Sequence, residues 1–356
     1  MTLKSTLIET DGYELVLRME DASVGLHAII AIHDTTFGPA LGGTRIYPYA
    51  NEEDALYDVL RLAKGMTYKS AVAKSGFGGG KSVIIADPKT EKTPELLRAF
   101  GRAVESLAGK YICAEDVGCT TEDVGIIREE TKHVVGLDFP GGSGNPAPFT
   151  ARGVYRGLQS ALYERTGNRS VQGKTIAIQG LGSVGKWLAR YLFWEGANLI
   201  VTDINSELKN DFVLSVGAKW VEPEEIYAVE CDVFAPCAMG GVLTAETVKL
   251  IQANIVAGAA NNPLKTEEVG EMLHQKGILY APDFVINAGG LVNVCYEVSA
   301  SGYSATSSRD TVDQIFSTLM SVYDLAKKNG CSTERAALSL AKRRIAEKQE
   351  ISTVLI

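Results

Sequence analysis

Lys81 ends a run of three glycines, and a lysine in that setting can do one of two kinds of chemistry. In a phosphate-binding loop, a glycine, four further residues and then Gly-Lys-Ser or Gly-Lys-Thr wrap around a triphosphate. The stretch SGFGGGKS supplies Gly80, Lys81 and Ser82, but Ser75 stands where the first glycine belongs. Alternatively, Lys81 is a general base, because burial beside a cleft favours the neutral amine.

The residues that follow Lys81 argue against the phosphate-binding loop. Such a loop needs a helix directly after its Lys-Ser pair, whereas SVIIADP is short, β-branched and typical of a strand. The three glycines would instead let the backbone approach a bulky or planar group. On these residues alone, a catalytic base and a surface lysine at a strand edge stay equally open.

A second glycine pattern, GLGSVG, predicts a dinucleotide-binding turn between the strand TIAIQ and the helical stretch KWLARYLFWEG. Gly180 permits the tight turn, Gly182 lets a pyrophosphate approach the helix N-terminus, and Gly185 lets helix and strand pack closely. Asp203, at the end of the next strand, would bind the adenosine ribose and repel a 2′-phosphate, which favours NAD over NADP. A βα turn without a ligand is the alternative. The turn residues expected at the cofactor are Gly180, Leu181, Gly182, Ser183, Val184 and Gly185.

Helix and strand patterns alternate on both sides of PGGSGNPAPFTARG, a Gly- and Pro-rich stretch that divides the chain. Helices are predicted after Asn51, after Thr93 and at about 150–165, and two amphipathic helices at about 310–349. The predicted strands are 26–33, 81–87 and 110–116, then 175–179, 198–203, 231–236, 254–260 and 278–283. Both halves are therefore α/β, and the second predicts a parallel, doubly wound sheet.

Composition narrows the class of protein. The chain has 356 residues, a net charge of −8 and a pI of about 5.3, which suits two domains and argues against a nucleic-acid partner. We find no signal-peptide pattern and no apolar run of membrane-spanning length. The six cysteines form no C-x-x-C pair and do not cluster with the four histidines, so we expect no metal site and no disulfide framework. A cytoplasmic location is expected.

Eight longer stretches resemble the Glu/Leu/Phe/Val amino-acid dehydrogenase family, most of all its leucine-acting branch, with tryptophan-acting members next. These stretches are IAIHDTTFGPALGGTRIYPYANEEDAL, LRLAKGMTYKSA, GGGKSVIIADP, AEDVGCTTEDV, GNPAPFTARGVYRG, ECDVFAPCAMGG, AGAANNPL and YAPDFVINAGGLVNV. The resemblance implies two domains around a cleft. It places a catalytic and oligomerisation domain at 1–140, joined by C-terminal helices at about 325–356, and a Rossmann-type NAD domain at 145–324.

The resemblance also implies roles for the candidate catalytic residues. Lys81 matches the lysine that activates water for attack on the substrate iminium, and Asp116 matches the acid that exchanges protons with the amine. Lys69 matches the lysine that pairs with the substrate α-carboxylate. Gly42 and Gly43 match glycines that let this carboxylate approach the backbone.

Further positions follow from the same resemblance. Asn261 matches a residue near the nicotinamide ribose, Asn262 one near the substrate amine, and Thr150 a contact to the cofactor carboxamide. The expected side-chain pocket consists of Leu41, Ala114, Leu291 and Val294. Glutamate-specific relatives have lysine and serine at the positions of Leu41 and Val294, so a glutamate carboxylate would be buried here without a partner.

The implied reaction is the reversible NAD-dependent oxidative deamination of a branched-chain L-amino acid such as leucine, valine or isoleucine. The products are the 2-oxo acid and ammonia. The expected partners are the small-molecule L-amino acid and 2-oxo acid. The protein is expected to form a homo-oligomer, a dimer or larger. Leu291 keeps an aromatic L-amino acid open as substrate, because leucine-acting relatives usually have valine there.

Two other classes of function would also use a dinucleotide-binding turn. A 2-hydroxy-acid dehydrogenase would need a histidine base, for which His33 and His133 are candidates by residue type only. A non-catalytic NAD sensor would have no use for Lys69, Lys81 and Asp116 together.

Overall fold

The computed structural model describes residues 3–299 and 301–354, which form two compact α/β units. Within these residues, the first unit contains the chain up to Asn145, residues 294–305 and the chain from Ala341 onward. The second unit contains residues 146–293 and 306–340. The break between Asn145 and Pro146 falls in the Gly- and Pro-rich stretch that the sequence pointed to.

The first unit is built on a six-stranded mixed sheet in the order β1-β2-β3-β5-β4-β6. β4 pairs in parallel with β5 and β6, and the remaining pairs are antiparallel. The strands are β1 (Lys4–Leu7), β2 (Leu15–Asp21), β3 (Leu26–Asp34), β4 (Ala40–Tyr47), β5 (Gly78–Ile85) and β6 (Tyr111–Ala114). Since β4, β5 and β6 are parallel, their carboxyl ends meet at one edge of the sheet.

Helices cover both faces of this sheet. They are α1 (Glu52–Ala73), α2 (Pro94–Glu105) and α3 (Thr121–Ile127). Asn51 and Thr93 cap α1 and α2 by accepting backbone N–H groups, as the sequence predicted. The apolar side of α1 packs on the sheet through Val59 and Ala63, whereas α2 buries Phe100 on the other face.

The second unit has a fully parallel sheet in the order β12-β11-β10-β7-β8-β9. Its strands are β7 (Thr175–Gln179), β8 (Asn198–Thr202), β9 (Lys219–Trp220), β10 (Val233–Pro236), β11 (Ile255–Val256) and β12 (Leu279–Tyr280). The chain runs outward from β7 in one direction and then from β10 in the other. This is the strand order of a Rossmann fold, and ligands of such sheets bind where the order reverses.

The remaining helices are α4 (Ala147–Thr166), α5 (Ser183–Trp194), α6 (Phe212–Ser215), α7 (Ala245–Leu250), α8 (Glu267–Gln275), α9 (Asp283–Ile286), α10 (Gly289–Cys295), α11 (Ala305–Val312), α12 (Ile315–Asn329) and α13 (Thr333–Val354). Short 3₁₀ helices lie at Ser206–Lys209, Ile226–Ala228 and Tyr296–Val298. Among the residues that the structure describes, we find no helix long and apolar enough to cross a membrane.

The C-terminal helices differ from the expectation that residues from about 325 onward pack on the first domain. α12 belongs to the second unit, where Lys327 pairs with Glu164 of α4 at 2.5 Å. Only the part of α13 from Ala341 belongs to the first unit. There Arg344 donates to the carbonyls at the end of α1, including that of Val72 at 2.7 Å. These contacts of a half-buried arginine with the last carbonyls of α1 tie the end of α13 to the first unit.

Candidate active site

The glycines before Lys81 let other elements pack directly on β5. A Cβ atom on Gly79 would collide with the backbone of Thr67 in α1. A Cβ atom on Gly80 would lie 2.9 Å from the ring of Tyr111, which comes from β6. The glycines therefore permit α1 and the Tyr111 ring to pack closely on β5.

Lys81 lies inside β5, which begins at Gly78 and continues to Ile85. The next helix along the chain, α2, begins only at Pro94. A phosphate-binding loop requires its helix directly after the lysine, so this geometry excludes that interpretation. β5 begins three residues before the strand predicted at 81–87, because the glycines belong to it, and ends at Ile85.

Replacing Gly79 by alanine should destabilise the first unit. The new methyl group would collide with α1 at Thr67, and we expect the free energy of unfolding to fall by about 3 kcal/mol. Gly65, exposed on the same helix, is the control: a Cβ there meets nothing within 4 Å, and Gly65→Ala should gain up to about 1 kcal/mol. Urea denaturation measures both, and equal stability of Gly79→Ala and wild type would contradict this packing argument.

Lys81 and Asp116 form a buried ion pair. Lys81 is 7% exposed, and its ammonium group contacts Asp116 Oδ2. Gly43 of β4 lies against both residues, since a Cβ atom there would be 3.2 Å from Lys81 Nζ and 2.9 Å from Asp116 Cβ. Gly42 is equally constrained, because its Cβ would collide with the Gly80 carbonyl. Gly43 therefore leaves β4 without a side chain next to the pair, and Gly42 lets β4 lie close to the backbone of β5.

Local backbone and charge fix the state of Asp116. It follows β6 in a tight turn closed by the Cys119 N–H, which donates to the Asp116 carbonyl at 2.9 Å. Burial would raise the pKa of Asp116, but the positive charges of Lys81 and Arg45 outweigh burial, so the pKa lies below its ordinary value. Asp116 is consequently a carboxylate at neutral pH and can accept a proton.

Lys69 lies near the end of α1, on the part of the helix that is tied to the glycine run. The neighbouring Ser70 hydroxyl donates to the Gly78 carbonyl at 3.2 Å. Thr67 packs on Gly79 and bonds to His33 Nδ1 at 2.8 Å. Lys69 itself is half-buried. His33 is thus held within the fold by a threonine, as expected for a structural histidine.

The positions expected to line the substrate side chain fall in both units. Leu41 of β4 and Ala114 of β6 are buried in the first unit, 2% and 8% exposed. Val294 also belongs to the first unit, where it packs near Gly136. Leu291 lies in the second unit, although it shares the short helix α10 with Val294. The three residues of the first unit are all apolar.

The glycine turn of the second unit lies at the end of β7. Gly180 has a φ of +98°, and a Cβ there would lie 2.8 Å from Ala238 N. Gly185 packs against the Gly180 carbonyl, whereas a Cβ on Gly182 would meet nothing within 4 Å. Gly182 is the N-cap of α5 and offers no side-chain cap. The first N–H groups of α5 are therefore open to an anion.

Asp203 closes this turn from the end of β8. Its Oδ2 accepts a hydrogen bond from Leu181 N at 2.6 Å, and its Oδ1 accepts one from Asn205 N at 2.8 Å. Ser183 and Val184 form the first turn of α5 behind Gly182. The carboxylate is thus fixed next to the glycine turn at the point where the strand order reverses.

Asn261 and Asn262 are held by two residues that sequence reasoning missed. Asn262 has a φ of +47°, and its N–H donates to Asp283 Oδ2 at 2.7 Å. The side-chain oxygen of Asn261 accepts from Asn287 Nδ2 at 2.8 Å. Asp283 and Asn287 both lie in the stretch YAPDFVINAGG. Their polar side chains in an otherwise apolar segment were the available signal.

Thr150 lies in the first turn of α4. Its hydroxyl donates to the Pro146 carbonyl at 3.1 Å. A Cβ on Gly290 would lie 2.6 Å from this hydroxyl oxygen, so the start of α10 packs directly on Thr150. The structure thereby brings Thr150 next to the NAGG segment within the second unit.

Glu334 of α13 gives the second unit a pH-dependent stability. Burial, followed by the negative charges of Asp283 and Glu267, raises its pKa from 4.5 to about 8. The folded state therefore holds a proton that the unfolded state has lost, and stability falls as pH rises from about 4.5 to about 8. Glu334→Gln should remove this loss, raising the free energy of unfolding by about 1–3 kcal/mol at alkaline pH.

Urea denaturation at acidic and alkaline pH checks this prediction. Glu350→Gln, at an exposed position of the same helix, is the matched control and should leave the pH dependence unchanged. An unchanged pH dependence in Glu334→Gln would show that Glu334 is not the titrating group.

The two units define the class of this protein as an α/β dehydrogenase, with a Rossmann sheet in one unit and a buried lysine–aspartate pair in the other. Residues 13–133 match the family described as Glu/Leu/Phe/Val dehydrogenase, dimerisation domain. Residues 203–352 match Glutamate/Leucine/Phenylalanine/Valine dehydrogenase. The chain belongs to the Glu/Leu/Phe/Val dehydrogenase family and is an amino-acid dehydrogenase, which confirms the resemblance.

Individual relatives align over almost the whole chain. Leucine dehydrogenase of Geobacillus stearothermophilus is 50% identical over 340 residues, covering 95% of this chain and 92% of that protein. L-tryptophan dehydrogenase of Nostoc punctiforme is 48% identical over 335 residues, 94% of each. The crystal structure of L-tryptophan dehydrogenase from Nostoc punctiforme has a TM-score of 0.84 at 46% identity, covering 95% of this chain and 97% of that one. The predicted two-domain α/β fold is confirmed.

Proposed function

We propose that this protein catalyses the reversible NAD-dependent oxidative deamination of branched-chain L-amino acids such as leucine, valine and isoleucine. The observation that carries this proposal is the ion pair of buried Lys81 with Asp116, which lies against Gly43 of β4. Relatives named leucine dehydrogenase at 50% identity support the choice of substrate class.

Each residue of the first unit has a distinct task in the proposed reaction. Lys69 pairs with the substrate α-carboxylate, which Gly42 and Gly43 admit to the backbone of β4. Lys81 acts as the general base that takes a proton from water, and this water attacks the iminium carbon of the oxidised substrate. Asp116, charged at neutral pH, exchanges protons with the amine as ammonia leaves.

The second unit fits NAD. The open N-terminus of α5 and the uncrowded Gly182 form a cradle for a pyrophosphate, with Asp203 beside it for the adenosine ribose. Asn261 and Thr150 would hold the nicotinamide end. When bound, NAD accepts the hydride from the substrate Cα.

Asp203 should make the enzyme prefer NAD to NADP. Its carboxylate repels a 2′-phosphate, so we expect kcat/KM with NAD to exceed that with NADP at least about tenfold, and Asp203→Ser to narrow the gap. Asp203→Asn is the control for the turn, because its side-chain oxygen can still accept from Leu181 N. Asp203→Asn should therefore also reduce the difference in kcat/KM between NAD and NADP, because it removes the charge and keeps the turn. Equal wild-type kcat/KM with the two cofactors would contradict the prediction.

An aromatic substrate is the second candidate, favoured by Leu291 and by the similarity to L-tryptophan dehydrogenase. A panel with NAD decides between the classes: L-leucine, L-valine, L-isoleucine, L-phenylalanine, L-tryptophan and a 2-hydroxy acid. We expect the highest kcat/KM with the branched-chain acids. The highest kcat/KM with L-tryptophan or L-phenylalanine would assign the protein to the aromatic branch of the family. If no compound is turned over, a non-catalytic NAD sensor is the remaining hypothesis.

We also propose a cytoplasmic homo-oligomer, a dimer or larger. The family description that matches residues 13–133 names a dimerisation domain, which supports self-association through the first unit. Light scattering on the purified protein tests this, and a monomer at assay concentration would contradict it.

A further inference from the structure

Arg45 connects the candidate catalytic pair to a second cluster of charges. It lies in β4, with its side chain 22% exposed. Its Nε is 3.5 Å from Asp116 Oδ2, and its Nη1 donates to Asp58 Oδ2 at 2.6 Å. The guanidinium therefore bridges two carboxylates, one at the candidate active site and one on α1.

Asp58 is itself fixed in place. The Tyr49 hydroxyl donates to Asp58 Oδ2 at 2.7 Å, and Arg61 Nη2 donates to Oδ1 at 3.2 Å. Asp58 is 16% exposed, so these contacts are formed away from most solvent. A planar guanidinium held on one side in this way has little freedom to leave Asp116.

We propose that Arg45 is a positioning residue for the reaction: it holds the Asp116 carboxylate facing Lys81, and Asp58 and Tyr49 hold Arg45. This inference rests on the proposed function, in which Asp116 exchanges protons with the substrate amine. It assigns a role to a residue that neither the glycine motifs nor the catalytic pattern indicated.

The charges around Asp116 explain why a second cation is needed. The groups that face it are Lys81 from β5, Arg45 from β4 and the backbone N–H of Val117, together with the Tyr111 hydroxyl and the Cys119 thiol, whose pKa values are raised by burial. Lys81 is assigned to proton transfer in the proposed reaction, so Arg45 is the cation of this set that can serve to hold Asp116 alone. Without Arg45, the buried carboxylate would take up a proton at higher pH and could no longer accept one from the amine.

The test compares Arg45→Met, Arg45→Lys and the control Lys64→Gln with NAD and L-leucine. Lys64 is exposed on α1, the helix that carries Asp58, and contacts neither Asp58 nor Asp116 among the described interactions. We expect Arg45→Met to lower kcat about 10- to 100-fold and to move the acid limb of the kcat–pH profile up by about 1 pH unit or more. Arg45→Lys should show a smaller loss of kcat and a smaller shift of the acid limb than Arg45→Met, since it keeps the charge but loses the bridging geometry. Lys64→Gln should match wild type, and KM for NAD should stay unchanged in all variants.

A wild-type kcat and pH profile in Arg45→Met would overturn the inference. So would a fall in kcat with an unmoved acid limb, because that is what a purely structural role predicts. If Arg45→Met does not fold, Tyr49→Phe replaces it: loss of the bond to Asp58 should shift the acid limb in the same direction by a smaller amount, and no shift would overturn the inference.

Asp116→Asn separates this inference from the proposed function. If Asp116→Asn loses turnover while Arg45→Met keeps the wild-type kcat and pH profile, only the positioning role of Arg45 is rejected. Full activity of Asp116→Asn would reject the proposed role of Asp116 and the inference with it.

Discussion

Lys81→Ala should lower the turnover number with L-leucine by about 10²-fold or more, the usual effect of losing a general base. NAD binding should remain, because the proposed cofactor turn at Gly180–Gly185 lies in the other unit. Steady-state kinetics and NAD titration by fluorescence measure the two effects separately. Thermal unfolding reports whether the variant is folded despite the loss of the ion pair with Asp116.

Two further variants make this result specific. Lys132→Ala, at an exposed position of the same unit, should behave as wild type. Lys69→Ala should mainly raise KM for the amino acid, because a carboxylate anchor contributes equally in the ground and transition states. Near-normal deamination by folded Lys81→Ala would end the assignment of Lys81 as the base.

L-glutamate should be a poor substrate, with kcat/KM at least about 10³-fold below that of L-leucine, since its distal carboxylate would be buried without a partner. This prediction depends on Leu41 and Val294, which are 2% and 7% exposed. Introducing the charged and polar groups of glutamate-specific relatives, as Leu41→Lys with Val294→Ser, should raise activity with L-glutamate and lower it with L-leucine.

Leu41→Met is the matched control for the double variant, because it keeps an apolar side chain of similar volume. It should retain the preference for L-leucine. Strong wild-type activity with L-glutamate would refute the assignment of Leu41 and Val294 to the side-chain pocket.

Strands with apolar, β-branched sequences could be located from the sequence alone. The structure places β7 at Thr175–Gln179, as predicted, and β3 at Leu26–Asp34 against a prediction of 26–33. These segments have a strong local preference and clear turn residues at their ends. The glycine turn between β7 and α5 was predictable for the same reason, since strand, turn and helix each carry their own signal.

The start of β5 and the whole of β4 were not predicted, because glycine disfavours strands locally. The need for these glycines is visible only in the folded protein, where α1 packs on Gly79 and β4 lies against Lys81. Arg45 was missed for a related reason. Its contacts with Asp58 and Asp116 join β4, α1 and the turn after β6, which are far apart in the sequence. No local sequence pattern predicts such contacts.

The most direct test of the central claim is the product stoichiometry of the wild-type enzyme with L-leucine and NAD. NADH, ammonia and the 2-oxo acid are measured in the same reaction by absorbance, an ammonia assay and chromatography. Oxidative deamination predicts that all three form in equal amounts and that Lys81→Ala loses all three together. Formation of NADH without ammonia, or only with a 2-hydroxy acid as substrate, would contradict the proposed reaction.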